Sequence, residues 1–236
     1  MNNVGIKPWK AETFKLRAEY YFERVGQFSI GGFRRNYTNF WQTQRVVPTP
    51  EFLENYGIDP NLYGGYEFFT QVNQPGTYSL TGFDVDYRQA LTFLPQWARG
   101  VQVFGNASAI RQSGADLGSV SFAGFIPRIY SWGISLTRPK WNARVNWNYR
   151  GRQRNASVTG VGIESGTFNY ASKRMYVDVL GEYYFWKRVG FFFNLRNVGD
   201  ATEDVGIYGP STPEVAQFRQ RIDYASLWTF GIKGTW

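Results

Sequence analysis

Taken at every second position, "WNARVNWNYRGR" separates Trp141, Ala143, Val145, Trp147 and Tyr149 from Asn142, Arg144, Asn146, Asn148, Arg150 and Arg152. Apolar and polar positions that alternate with period two define a strand whose two sides meet different surroundings. The pattern recurs. "IYSWGISLT" sets Tyr130, Trp132, Ile134 and Leu136 against Ser131, Gly133, Ser135 and Thr137. "RMYVDVLGEYYFW" sets Met175, Val177, Val179, Tyr183 and Phe185 against Asp178, Glu182 and Tyr184. "GFFFNLRN" divides Phe191, Phe193 and Leu195 from Asn194 and Arg196, and "FKLRAEYYF" divides Phe14, Leu16, Ala18, Tyr20 and Phe22 from Lys15, Arg17 and Glu19. "GFDVDYRQAL" separates Phe83, Val85, Tyr87 and Leu91 from Asp84, Asp86 and Arg88. With "QFSIGGFRRNY", "GVQVFGNASAIRQ" and the closing "YASLWTFGIKGTW", about nine strands are predicted. Several exceed the five or six residues usual in a soluble sandwich.

The links between these strands differ in length in a regular way. "ERVG" from Glu23, "LPQWARG" from Leu94, "RPK" from Arg138 and "KRVG" from Lys187 are turn-like. The intervening links are long, running from Gln42 to Gly76, Ser113 to Pro127, Gln153 to Ser172 and Gly199 to Arg221. Strict alternation of short and long links, with strands of about ten residues, is the arrangement of transmembrane β-barrels. The predicted fold is therefore all-β, an antiparallel transmembrane barrel meander filling residues 1–236 as one region.

Composition agrees with that reading. Aromatic residues make up 19% of the chain, yet mean hydropathy is -0.40, as expected where only alternate residues face lipid and aromatic girdles flank them. No apolar run approaches the length of a membrane-spanning helix. Cysteine and histidine are both absent, which excludes disulfide scaffolds, Cys/His zinc sites and catalysis through a histidine base. No cofactor is expected. The net charge of +8 is dispersed, with no basic run longer than a pair, so no nucleic-acid partner is expected. The opening "MNNVGIKPWKAETF" lacks the apolar segment of an export signal.

Trp228, Phe230, Ile232 and Trp236, at alternate positions of the last strand, resemble the terminal signal by which outer-membrane barrels are recognised by the barrel-assembly machinery. "KPWKAETFKLRAEYYF", "TGFDVDYRQAL", "NYRGR", "FFFNLRNVGD" and "FGIKGTW" resemble, in that order, stretches of TonB-dependent receptors. The resemblance spans nearly the whole chain. It implies a bacterial outer-membrane transporter that takes up iron chelates, vitamin B12 or oligosaccharides, with lipid and TonB as partners. Such receptors carry about 22 strands around a plugged lumen. About nine strands without a plug therefore imply the C-terminal part of a larger barrel, whose plug and N-terminal strands lie elsewhere. A small complete barrel of eight or ten strands with a structural or adhesive role, and a soluble aromatic-rich carbohydrate-binding protein, are the alternatives.

Candidate ligand or plug contacts are the inward cations Arg88, Arg144, Arg150, Arg152 and Arg196. Arg144, Arg150 and Arg152 form the clearest anion-facing row, because guanidinium groups suit carboxylates and phosphates. "YGIDPNLYGGYEFF", in the longest link, gathers aromatics able to stack on a sugar or aryl ligand. Asp84 and Asp86 share a face as a glycosidase pair would, but regular alternation explains them, and no enzyme is expected.

Overall fold

The structure, a computed structural model, describes residues 5–23, 25–114, 125–158, 160, 162–164 and 166–234. Its principal element is a nine-stranded antiparallel sheet. In spatial order the strands are β1 (Lys10–Phe22), β2 (Gly26–Thr38), β5 (Thr77–Ala90), β6 (Val101–Gly114), β7 (Arg128–Thr137), β8 (Trp141–Arg150), β11 (Arg174–Tyr184), β12 (Val189–Arg196) and β15 (Leu227–Gly234). These are the nine strands predicted from alternation. Their pairing puts the predicted apolar sets on one common face. Ile30 pairs with Val85, Val85 with Ala107, Ile134 with Val145, Val145 with Val179, and Phe193 with Phe230.

Six further strands form within links that the sequence reading left without structure, so the expected count is corrected upward. β3 (Trp41–Val46) and β4 (Phe68–Asn73) make a separate two-stranded ladder in the β2–β5 link. Between them lie helices α1 (Pro50–Asn55) and α2 (Pro60–Tyr63), with Thr49 and Asp59 capping their first turns through Phe52 N–H and Asn61 N–H. A small apolar cluster of Tyr37, Tyr78, Phe40 and Leu80, with Trp9 stacked on Tyr37 at 5.5 Å, seats this excursion.

β9 (Gln153–Ser157), β10 (Phe168–Ala171), β13 (Thr202–Tyr208) and β14 (Phe218–Asp223) form a four-stranded sheet in the order β9, β10, β13, β14. That order repeats the order β8, β11, β12, β15 of their chain neighbours in the large sheet. Each of those four strands therefore continues past a bend into a distal sheet. The β10–β13 pairing, Phe168 with Tyr208 through Ala171 with Val205, joins two different long links.

The large sheet is strongly staggered. One register row runs through Phe22, Gly26, Gln89, Val103, Ile134, Val145, Val179, Leu195 and Trp228. It begins at the short-turn end of β1 and arrives near the long-link end of β15. At the short-turn end β15 instead reaches Gly234, opposite Val189. At roughly 3.3 Å per residue and 4.8 Å between strands, this stagger corresponds to a strand tilt of roughly 30°. Among the described residues β1 and β15 are edges and do not pair with each other, so the sheet is open. No helix among the described residues is long and apolar enough to cross a membrane.

Candidate functional site on the polar face

The polar face carries the chemistry, and stagger decides which side chains meet there. Two adjacent register rows, Gln27–Arg88–Phe104–Gly133–Asn146 and Ser29–Asp86–Asn106–Ser131–Asn148, cross strands β2, β5, β6, β7 and β8. Their middle positions on β7, Gly133 and Ser131, are small. Larger side chains on either side rise around a cavity of about 340 Å³ lined by Gln27, Asp86, Arg88, Asn106, Arg144 and Asn148, among others.

Gly133 is needed for this shape. A Cβ there would collide with the Phe104 ring and with the Val145 carbonyl, so Phe104 lies down across the glycine, as aromatic side chains do over strand glycines. Arg144 then lies over the ring, its guanidinium carbon 4.2 Å from the centroid, and donates from Nε to Asn146 Oδ1 at 2.7 Å. Arg88, opposite Phe104 in the ladder, is exposed, and its side chain forms no ion pair or hydrogen bond among the described residues.

The carboxylates beside the cavity are already engaged. Arg17 approaches Asp84 at 3.7 Å and Asp86 at 4.0 Å, pairs with Glu19 at 2.9 Å and donates to Ser29 Oγ at 2.7 Å. A shared arginine accounts for Asp84 and Asp86 without acid–base chemistry. Farther along the face Glu182 pairs with Lys233 at 2.6 Å and accepts from Asn142, and Asp178 accepts from Asn148 and from the Asn197 N–H. No cluster of metal-ligating side chains occurs among the described residues.

The sequence row Arg144, Arg150 and Arg152 is not brought together as a stripe. Arg144 belongs to the cavity. Arg150, the last residue of β8, faces Arg174 across the ladder. Its Nε is buried and has no hydrogen-bond partner among the described residues. Arg152 lies past the bend at Gly151, between the rings of Tyr170 and Tyr208 at 4.3 and 4.1 Å. Arg196 is exposed at the end of β12 opposite Leu227. Of the five predicted cations, Arg88 and Arg144 alone line the cavity. Parity along one strand grouped the arginines, whereas proximity across strands depends on register. A glycine in mid-strand was the available signal for the cavity floor.

Trp228, Phe230 and Ile232 lie on the apolar face, exposed; Trp236 lies outside the described residues. In the longest link, Tyr63 and Tyr66 are 5.6 Å apart and both exposed, while Phe52 packs against Tyr56 and Phe68. The segment read as an aromatic loop therefore contains α2 and the start of β4, and Tyr56, Tyr63, Tyr66 and Phe69 in it are exposed.

Asn197 was missed by the sequence reading. Buried, with a φ of 51°, it occupies the bend between β12 and β13. Its side chain donates to the carbonyls of Ala201 and Ala225, at 3.3 and 3.0 Å, and accepts from the Ala201 N–H at 2.9 Å. Its own carbonyl accepts from Ser226 Oγ at 2.8 Å. One side chain thus ties the β12–β13 bend to the β14–β15 bend. Asparagine suits such a position because it tolerates left-handed backbone and satisfies nearby polar groups.

Comparison with family models, with curated proteins and with solved structures returns no significant match. What can be inferred about function rests on the residues above and on the pattern that assembles them.

Proposed function

We propose that this chain is the C-terminal part of a TonB-dependent receptor barrel in the bacterial outer membrane, acting in uptake of a chelate, vitamin or oligosaccharide once its remaining strands and plug are present. The observation that carries this reading is the apolar face. It continues without interruption over nine strands, roughly 40 Å across, and includes Leu16, Phe83, Ile134, Phe230 and Ile232, all exposed. Soluble monomers rarely expose contiguous apolar patches beyond a few hundred Å², and among the described elements no second layer packs against this one.

Three further features support the same reading. The opposite face is polar and internally ion-paired. Short turns lie at one end of the sheet and long links at the other, as in outer-membrane barrels. The stagger supplies the strand tilt that a barrel needs. The unpaired edges of β1 and β15 support the partial-barrel reading, because open edges in lipid leave backbone groups unsatisfied at several kcal/mol each.

The test is reconstitution of the full chain in vesicles whose lipids carry bromine at mid-acyl depth. Trp132 and Trp147, stacked as neighbours on the apolar face, are expected to be quenched, and W132F/W147F to lower the quenching, with Trp141 and Trp228 on the same face supplying the remainder. A chain that stays in the aqueous fraction, or whose quenching does not depend on those two residues, overturns the reading.

A further inference from the structure

We propose that the cavity between Arg88 and Arg144 binds a hydroxylated carboxylate of the uronic-acid class. This deepens the receptor reading by naming a substrate class, and it rests on the chemistry of one patch of the polar face.

The charge asymmetry comes first. Arg88 has no ionic partner among the described residues, and Arg144 spends only its Nε on Asn146, leaving terminal donors of its fork available. Asp86 is the single carboxylate in the lining and shares Arg17, at 4.0 Å, with Asp84 and Glu19, so the lining itself holds two cations against one anion. The cavity therefore presents two guanidinium groups, which bind carboxylates through paired N–H donors. Arg144 is also held in place, by Phe104 beneath it and Asn146 beside it. That restraint lowers the ordering cost of binding.

The second element is the carboxamides. Gln27, Asn106, Asn146 and Asn148 line the same space with Ser131. Asn146 and Asn148 have given one function each, to Arg144 and Asp178, and keep the other. A carboxamide offers donors and an acceptor on one plane, and a hydroxyl is itself both donor and acceptor. A bare inorganic anion would offer few donors to the carboxamide oxygens, and a neutral sugar would leave the arginines without a counter-charge. A sugar ring bearing a carboxylate uses both sets. The volume of about 340 Å³ lies at the small end of ligand sites, suited to one or two rings.

The experiment is titration calorimetry on the detergent-solubilised full chain, with digalacturonic acid, its fully methyl-esterified form and inorganic phosphate as probes. The free acid is expected to bind, with the ester and phosphate each at least tenfold weaker. R88Q and R144Q should each weaken the acid by about tenfold, R144K by less, and K15Q, on the same face outside the cavity, should change nothing. Circular dichroism of each variant establishes that the fold is retained, and R144K keeps the test informative if R144Q fails to fold. Equal affinity for acid and ester, equal affinity for phosphate, equal loss in K15Q, or no binding of the acid would each overturn the inference. A chain that is quenched by brominated lipid yet ignores the uronate loses this inference alone. A chain that binds the uronate yet stays out of the membrane loses the receptor reading alone.

Discussion

The distal four-stranded sheet continues four of the nine strands of the large sheet in the same spatial order, yet the side chains of the two sheets are organised differently. In the large sheet one face is apolar and open through the middle of the strands and the other is polar, so most strands read as an alternation, broken toward the long-link end where Arg34 and Asn36 share the apolar face. In the distal sheet arginines are interleaved with aromatic rings. Arg152 lies between Tyr170 and Tyr208, Arg154 over Phe168, and Arg174 between Tyr176 and Tyr224 at the boundary. Arg174 also pairs with buried Glu203 at 2.6 Å. An apolar face needs another apolar phase against it, whereas a guanidinium stacked on a ring keeps its edge donors in water. The bends at Gly151, Ser172–Lys173, Asn197–Ala201 and Tyr224–Ser226 are where one organisation gives way to the other.

The comparison is broken most directly by charging the apolar face. Val145→Arg or Phe193→Arg is expected to destabilise the protein by about 2–4 kcal/mol in lipid, as for arginine near the midplane of a barrel's lipid face. Asn146→Arg, one residue along on the polar face, should cost much less. Urea unfolding midpoints in vesicles measure the difference, and equal losses would show that the two faces do not meet different media.

A smaller effect isolates the bend. Asn197→Ala leaves the Ala201 N–H and two carbonyls without partners and places alanine at a left-handed φ, an expected loss of about 1–3 kcal/mol. Hydrogen exchange should show it in the amides of β13 and β14, with β6 and β7 unchanged. Uniform loss of protection would mean the two sheets open as one unit.

Smaller again, Arg152→Ala removes the cation that lies over two rings, at about 0.5–2 kcal/mol, and should loosen the β10–β13 ladder while leaving the pairing of the large sheet unaffected. Arg152→Lys is expected to recover part of the loss. Proteolytic nicking of the two long links would report it.

The smallest effect is electrostatic. Arg221 holds the Asp204 carboxyl below its ordinary range by donating from Nε and Nη2 at 2.7 and 3.0 Å. A carboxylate lowered in the folded state contributes stability above its unfolded value, roughly pH 4, and that contribution is lost as pH falls through the folded value. Arg221 is exposed and Asp204 half-buried, and solvent screens the pair, so the acid-dependent loosening should be slight and absent in D204N. Exchange rates of β13 between pH 5 and pH 3 test it; the same pH response in D204N would assign it to another group.

How far the structure was legible differs between the two sheets for a physical reason. Strands such as Trp141–Arg150 announce themselves because one face must be apolar at every second residue. Thr202–Tyr208 and Phe218–Asp223 carry no such obligation. Their ladder is satisfied by partners far away in sequence, and their side chains by rings and counter-charges, so no local pattern marks them. Likewise Arg88 and Arg144 are 56 positions apart and share a cavity through the accumulated stagger of β5 to β8, while Arg144, Arg150 and Arg152, eight positions end to end, do not.

The sequence by itself determined the nine strands, their faces, the sorting of short and long links, and the absence of histidine and cysteine chemistry, because these follow from period-two alternation and residue type. Only the tertiary structure decided the stagger, the order of the distal sheet, the tie at Asn197 and the meeting of Arg88, Phe104 and Arg144 over Gly133. Those depend on which residue stands opposite which, and register between strands is set by all the pairings together.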